Sequence, residues 1–291
     1  MTSEMDLDHV AVVVGDLDRA ERNYTRLGFQ LTPRSSHKGP VAPDGEIGPW
    51  GSGNHCAMFR QGYLELLGIT DADLYKAHID RRLARYEGLH LIAFGTDDAG
   101  TTAAALGAKG VRISAPAQLG RDVPYGEGTR PGKFSIANLD EALYPEADFI
   151  VIEQQTRGVL WQPALMEHPN GALSLESVTL CCSDPDDLVA RLTPALGGPR
   201  NGRFDLTPGV LAIISAKDLA DRLPDCAPPG ALPCVVATAI GVRSLRQTED
   251  WLVQNDVPLL STNNGCLRVG SETGCGAVIE FIQSTLEESG Q

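Results

Sequence analysis

One unit, met four times, limits what this chain can become: a short apolar strand, a capped helix, then further strands. It is clearest at Leu7 to Phe29, LDHVAVVVGDLDRAERNYTRLGF. Val10 to Val14 is rich in β-branched residues and too short for a helix, so it reads as a buried strand. Gly15-Asp16 stops it, Asp16 can cap a helix from Leu17 to about Leu27, and Gly28 closes that helix. A loop over 33–53 is too rich in Gly and Pro for a central strand. Strands Asn54 to Arg60 and Tyr63 to Ile69 follow, joined by a tight Gln61-Gly62 turn.

The order then recurs at roughly 80 residues. A helix around Asp71 to Tyr86 leads to the strand His90 to Gly95 and the helix Ala99 to Lys109. A second Gly- and Pro-rich loop precedes strands Lys133 to Ala137 and Phe149 to Gln154. Thr156 to Ala172 has the Pro and Asn-Gly punctuation of a boundary, which predicts domains 1–158 and 159–291. Beyond it, Leu175 to Cys182 is a strand, a helix runs to Leu196, and Gly209 to Ser215 is a later strand. The fourth copy has the strand Cys234 to Gly241, the helix Ser244 to Asn255, and strands Cys266 to Val269 and Ala277 to Gln283.

Charge and cysteines narrow the partners. A net charge of −14 argues against nucleic acid or an anionic membrane, both of which need a positive surface. No apolar stretch approaches the roughly 20 residues that span a bilayer. The acidic start MTSEMDLDHV is not a secretory signal, and seven cysteines without a CxxC spacing read as reduced, buried thiols. A cytoplasmic protein acting on a small molecule is expected, with a homodimer allowed but not required.

The four units resemble the βαβββ modules of the vicinal oxygen chelate superfamily, the glyoxalase and extradiol dioxygenase group. HVAVVVGDLDRAERNY with LGF, YLELLGI and FIVIEQ carry the likeness, and GSGNHCAMFRQGYLELLGI resembles the glyoxalase-like domains in particular. The resemblance implies an α+β fold, with four modules paired into two cupped mixed β-sheet domains and helices outside. It also implies a divalent metal held in a cup by first-strand and last-strand ligands.

Carried over by position, His9 matches the first-strand ligand, six residues before Gly15. Glu65 and Glu153 match the last-strand ligands of modules one and two. A carboxylate in the middle of an apolar strand must be paired, hydrogen-bonded or metal-bound, because an isolated buried charge is too costly. Six residues before Asp97 stands Leu91, and His90 becomes the fourth ligand only if a bulge re-aims it. His55 is a candidate for an acid/base or substrate-binding role, or else a hydrogen-bonded strand histidine. His168 reads as a turn residue. Modules three and four carry Ser177, Ala212 and about Ala237 at the corresponding places, and only Glu280 survives there.

Histidine and carboxylate ligands suit zinc, nickel, manganese or iron. The resemblance implies a lyase or isomerase that chelates neighbouring substrate oxygens and stabilises an enolate, with Glu65 or Glu153 as base. Two alternatives stand beside it. One is an Fe(II) ring-cleaving dioxygenase using His9, His90 and Glu153. The other is a non-catalytic binder of small drug-like molecules, which follows if Leu91 marks a lost metal site.

Overall fold

The computed structural model of the chain describes residues 5–41, 45–260 and 265–286. The first unit is β1 (Asp6–Val14), α1 (Leu17–Arg26), β2 (Ser35–Pro40), β3 (Ile47–Met58) and β4 (Tyr63–Ile69). Helix α2 (Ala77–Leu83) leads to β5 (Gly88–Gly95), α3 (Ala99–Ala108), β6 (Ala117–Tyr125), β7 (Gly128–Asn138) and β8 (Asp148–Gln154). A connection with α4 (Arg157–Leu160) and a 3-10 turn at Pro163–Leu165 opens the second half. There, β9 (Ala172–Cys181), α5 (Pro185–Leu196), β10 (Arg203–Leu206), β11 (Gly209–Ile214) and α6 (Ala216–Arg222) form the third unit. The fourth is β12 (Cys234–Val242), α7 (Leu245–Gln254), β13 (Leu259–Leu260), β14 (Cys266–Val269) and β15 (Val278–Gln283).

The four main helices begin where the sequence supplies an acceptor. Side chains of Asp16, Asp98, Asp184 and Ser244 accept the backbone N–H of Arg19, Thr101, Asp187 and Gln247. The two Gly- and Pro-rich loops expected at 33–53 and after Gly110 differ from the structure, where they hold β2, the first part of β3, and β6. Pro and Gly are tolerated there because β2 and β6 end their half-sheets and the first part of β3 pairs with β2 alone, so a missing ladder bond costs little. Gly51 is also required by space, since a Cβ there would lie 2.0 Å from the Asp71 carbonyl oxygen.

The modules pair as the resemblance implies. β1 runs parallel to β4 and antiparallel to β5, and β5 runs parallel to β8. The same scheme recurs with β9 beside β11, β12 beside β15, and β9 antiparallel to β12. This is a mixed α+β fold of paired βαβββ modules, with two strands rather than three after the helix of the third unit.

Each first strand has two faces with different duties. Val10, Val12 and Val14 pack with Leu17, Tyr24 and Leu27 in a core that continues to Val178, Ile279 and Phe281. Phe29 stacks on Phe281 with ring centroids 6.0 Å apart, so the helix-bearing sides of the two halves share apolar packing. Against the opposite, inner face of the first half, Ile79 of α2 packs on Val13 and Leu67. Leu160 and Trp161 close over Cys56 and Met58 at the other end. Polar side chains fill the stretch between. No helix among the described residues is long and apolar enough to cross a membrane.

Candidate functional site

Neighbouring strand residues point to opposite faces, so Asp8 and His9 should not meet. The β1–β5 register shifts between Leu7 and His9, which makes Asp8 the extra residue of a bulge and re-aims it. Its Oδ1 lies 2.6 Å from Nδ1 of His9 and accepts Nε2–H of Gln154 at 3.0 Å. His9 is only 3% exposed, and its ring stacks on Tyr63 at 4.3 Å between centroids. A carboxylate on Nδ1 holds the proton there and leaves Nε2 as the free base. Nε2 has no hydrogen-bond partner among the described residues.

Two groups beside this pair hold their protons more tightly than usual. Burial, reinforced by the charges of Asp8 and Glu65, raises the Tyr63 hydroxyl well above its ordinary range. Asp6 sits opposite Gly95, and its carboxyl is pushed up to about 6 by burial and then by Asp8. Oδ1 of Asp6 is buried without a partner, 2.0 Å from where a Cβ of residue 95 would stand, so any larger residue there would have to displace the Asp6 carboxyl.

Glu65 stands opposite Ala11 of β1, two residues along from the His9–Tyr63 pair and therefore on the same face. The Asn54 side chain donates to Glu65, and its carbonyl accepts Nη1–H of Arg121 at 3.0 Å. The same Nη1 donates to Ser35 Oγ at 2.6 Å. Arg121 comes from β6 of the second module, so this polar wall joins two modules. Beyond it, Ser52 Oγ lies 3.0 Å from Nδ1 of His37 and 3.1 Å from Nε2 of His78. Burial lowers both imidazoles, His78 to about 4, so both are neutral near pH 7.

The structure brings His9 and Glu65 to one face and sends the other carried-over residues elsewhere. His9 is paired with Ala93, and Ala93 with Ile150, which puts Ile150 and Ile152 on the inner face and Glu153 on the helix side. Glu153 there accepts the backbone N–H of Ala99 at 3.2 Å, at the start of α3. The bulge at His90 exists, since the register shifts between Ala11 and Val12. It does not bring His90 to His9. His90 stacks on Tyr86 at 4.1 Å, bonds its carbonyl at 2.8 Å, and is lowered to about 4 by burial.

His55 is opposite Leu66, on the helix side, with Nδ1 2.7 Å from the Thr32 carbonyl and Nε2 accepting from Arg34 at 3.3 Å. His168 bonds the Met58 carbonyl and accepts the Gln30 N–H, a structural role. Among the described residues, no group of three or more His, Cys, Asp or Glu could hold a metal. The divalent metal implied by the resemblance therefore does not fit this arrangement of side chains.

Register also shows which positions correspond. Leu91 pairs with Asp148 as His9 pairs with Tyr63, so Ile150 takes the place of Glu65 in the second module. In the fourth, Ala239 pairs with Glu280 as Ala11 pairs with Glu65. Asp8, Asn54 and Arg121 are the site residues that sequence reasoning did not assign, and Tyr63 reads from sequence only as a cup-lining or core aromatic. The bulge that turns Asp8 inward leaves no mark in composition. Arg121 lies in a stretch that reads as loop.

Paired βαβββ modules with this register have a counterpart among known families. The model of the glyoxalase-like domain matches residues 7–196. The chain belongs to that family. Among the solved structures that match this glyoxalase-like protein, two cover nearly its whole length and nearly the whole of their own. One is a hypothetical protein from Staphylococcus aureus, 13% identical, with a TM-score of 0.62, covering 96% of this chain and 100% of its own. Another is a triple mutant of 4-hydroxymandelate synthase from Streptomyces coelicolor, 13% identical, with a TM-score of 0.63, covering 99% of this chain and 95% of its own. At such identities the likeness is one of fold. No curated protein matches the chain.

Proposed function

We propose that this glyoxalase-like protein is an enzyme of the lyase or isomerase type, working by proton transfer on a small carbonyl compound within the first half, residues 1–158. The observation that carries the reading is the 2.6 Å contact of Asp8 with Nδ1 of His9, which leaves Nε2 as a base on the same face as Tyr63 and Glu65. His9 takes a proton from the carbon beside the substrate carbonyl. Asp8 then stabilises the imidazolium, as an oriented carboxylate does for a catalytic histidine. The Tyr63 hydroxyl, kept protonated by its burial, donates to the oxygen that becomes negative. The proton on His9 returns to a neighbouring carbon, or it passes to a leaving group as that group departs from the neighbouring carbon and its bonding electrons are replaced by those of the enolate.

The non-catalytic binder is the second reading, and Leu91 with Ile150 favours it. They make the second module's side of the same face apolar where the first module has His9 and Glu65. The ring-cleaving reading needs two histidines and a carboxylate together. His90 and Glu153 are both engaged elsewhere, so it is not carried further.

Proton NMR in D2O separates the two readings. The full chain is incubated with small 2-oxo acids and hydroxyketones, and exchange of the carbon-bound hydrogen is followed. Exchange about a hundredfold above buffer, lost in His9→Asn, supports the enzyme, since a positioned base is worth about that much. Binding of the same compounds without exchange supports the binder.

A further inference from the structure

Among the described residues, other partly shielded arginines have a carboxylate partner. Arg82 is paired with Asp148, Arg191 with Glu146, and Arg268 with Glu280. Arg121 has none within ion-pair distance among the described residues. Its Nη1 rests on two neutral acceptors, Ser35 Oγ and Asn54 Oδ1, and Glu65 is held off on the far side of the Asn54 amide. A guanidinium withdrawn from water without a counter-ion is costly unless something else supplies the anion.

We propose that Arg121 is the receptor for the carboxylate of the substrate, a monoanionic carboxylic acid whose apolar tail lies along Leu119 and Phe134. The proposal rests on the reading of this face as the substrate site. A planar guanidinium fixed through Nη1 and resting on the Cys56 thiol still has N–H groups left to form a fork, which matches a carboxylate. A dianion is disfavoured, because Glu65 and Asp8 already place negative charge around Tyr63 on the same face.

The tail is argued from the same hairpin. Leu119 lies two residues before Arg121 on β6, on the same side of the strand, and is 48% exposed. It faces Phe134, which packs with Ile136, Leu91, Ile150 and Ile152 in an apolar wall. One strand therefore offers a cation and an uncovered apolar side chain side by side. That pairing suits an amphipathic acid.

Isothermal titration of the full chain with 3-phenylpropanoate, 3-phenylpropanamide, acetate and inorganic phosphate tests this. The expected order is phenylpropanoate first, with the amide and acetate each weaker by about tenfold or more, as the loss of a charge-assisted bond or of the tail implies. Arg121→Gln abolishes the preference for acid over amide, Arg121→Lys keeps part of it, and His9→Asn keeps it. Equal binding of acid and amide, tighter binding of phosphate, or an undiminished acid preference in Arg121→Gln overturns the proposal. If Arg121→Gln does not fold, the acid-to-amide ratio of the unaltered protein and of Arg121→Lys decides. Acid-selective binding without hydrogen exchange in D2O supports this proposal and refutes the catalytic reading.

Discussion

Glu65 and Glu280 occupy the same register position in modules one and four, yet only Glu280 is closed onto an arginine. Arg268 donates to one Glu280 oxygen from Nη2 at 2.8 Å and from Nε at 3.1 Å, directly across β14 and β15. The residue opposite Glu65 is Cys56, and the nearest arginine is reached only through Asn54. One strand chemistry thus yields a self-neutralised pair in the second half. In the first half it leaves a carboxylate and a guanidinium bridged by the Asn54 amide, with no direct ion pair between them among the described residues.

Glu280→Ala is therefore a stability mutation. It leaves Arg268, 7% exposed, without its counter-charge, which costs about 2 kcal/mol for a partly shielded pair. Urea unfolding followed by circular dichroism should show that loss, with phenylpropanoate binding unchanged. Unaltered stability would mean that the pair contributes nothing.

Asp8→Asn should keep the fold and lose most of the proton transfer. The amide cannot stabilise an imidazolium and can present its NH2 to Nδ1, which moves the His9 proton to Nε2. Hydrogen exchange should fall by about 10² to 10⁴. A fall below threefold would remove His9 as the base.

Much of this was legible in the chain, and the part that was not has a physical cause. Apolar first strands, Asp and Ser caps, and the fourfold order are local signals, and they gave the module architecture. The shared face of His9 and Glu65 was readable because the β1–β4 pairing runs without a shift from His9 onward. Glu153 was matched by its place in an apolar strand. Its face depends on the β5–β8 register, and a one-residue offset reverses a side chain. Asp8 could not be placed because a bulge, invisible in sequence, sets its direction. Arg121 reaches Asn54 and Ser35 across 67 and 86 residues, and no spacing rule connects such distant groups.

Two buried groups bend stability in opposite directions over one pH window. Asp6 has its folded value raised to about 6, so its contribution is present below about pH 4 and is lost as pH rises through 6. His90 has its folded value lowered to about 4, so its contribution is present above about pH 6.5 and is lost as pH falls through 4. Asp6→Asn should thus gain on the parent protein between pH 4 and 6 and stay ahead above it. His90→Phe, which keeps a ring on Tyr86, should lose less than the parent below pH 6. Melting temperatures across pH 4 to 7.5 check both slopes. Parallel curves for all three proteins would contradict the assignments.

The comparison of Glu65 with Glu153 decides whether register or sequence position locates the site. The two glutamates look alike in YLELLG and FIVIEQ, and a shared ion would make them equivalent. Their surroundings differ. Glu65 shares a face with His9 and takes the Asn54 amide, whereas Glu153 caps the Ala99 N–H on the helix side. Glu65→Gln should therefore lower hydrogen exchange, because it removes a negative charge that acts on Tyr63 and Arg121 on that face. Glu153→Gln should leave exchange within about twofold and lower stability by no more than about 1 kcal/mol, the usual worth of a carboxylate at a helix start. Dialysis against a chelator should change neither protein, since the side chains a shared ion would need lie on opposite faces of the sheet. Loss of exchange in Glu153→Gln together with loss on chelation would show that β8 turns Glu153 inward in the working enzyme, and would restore a metal to the site.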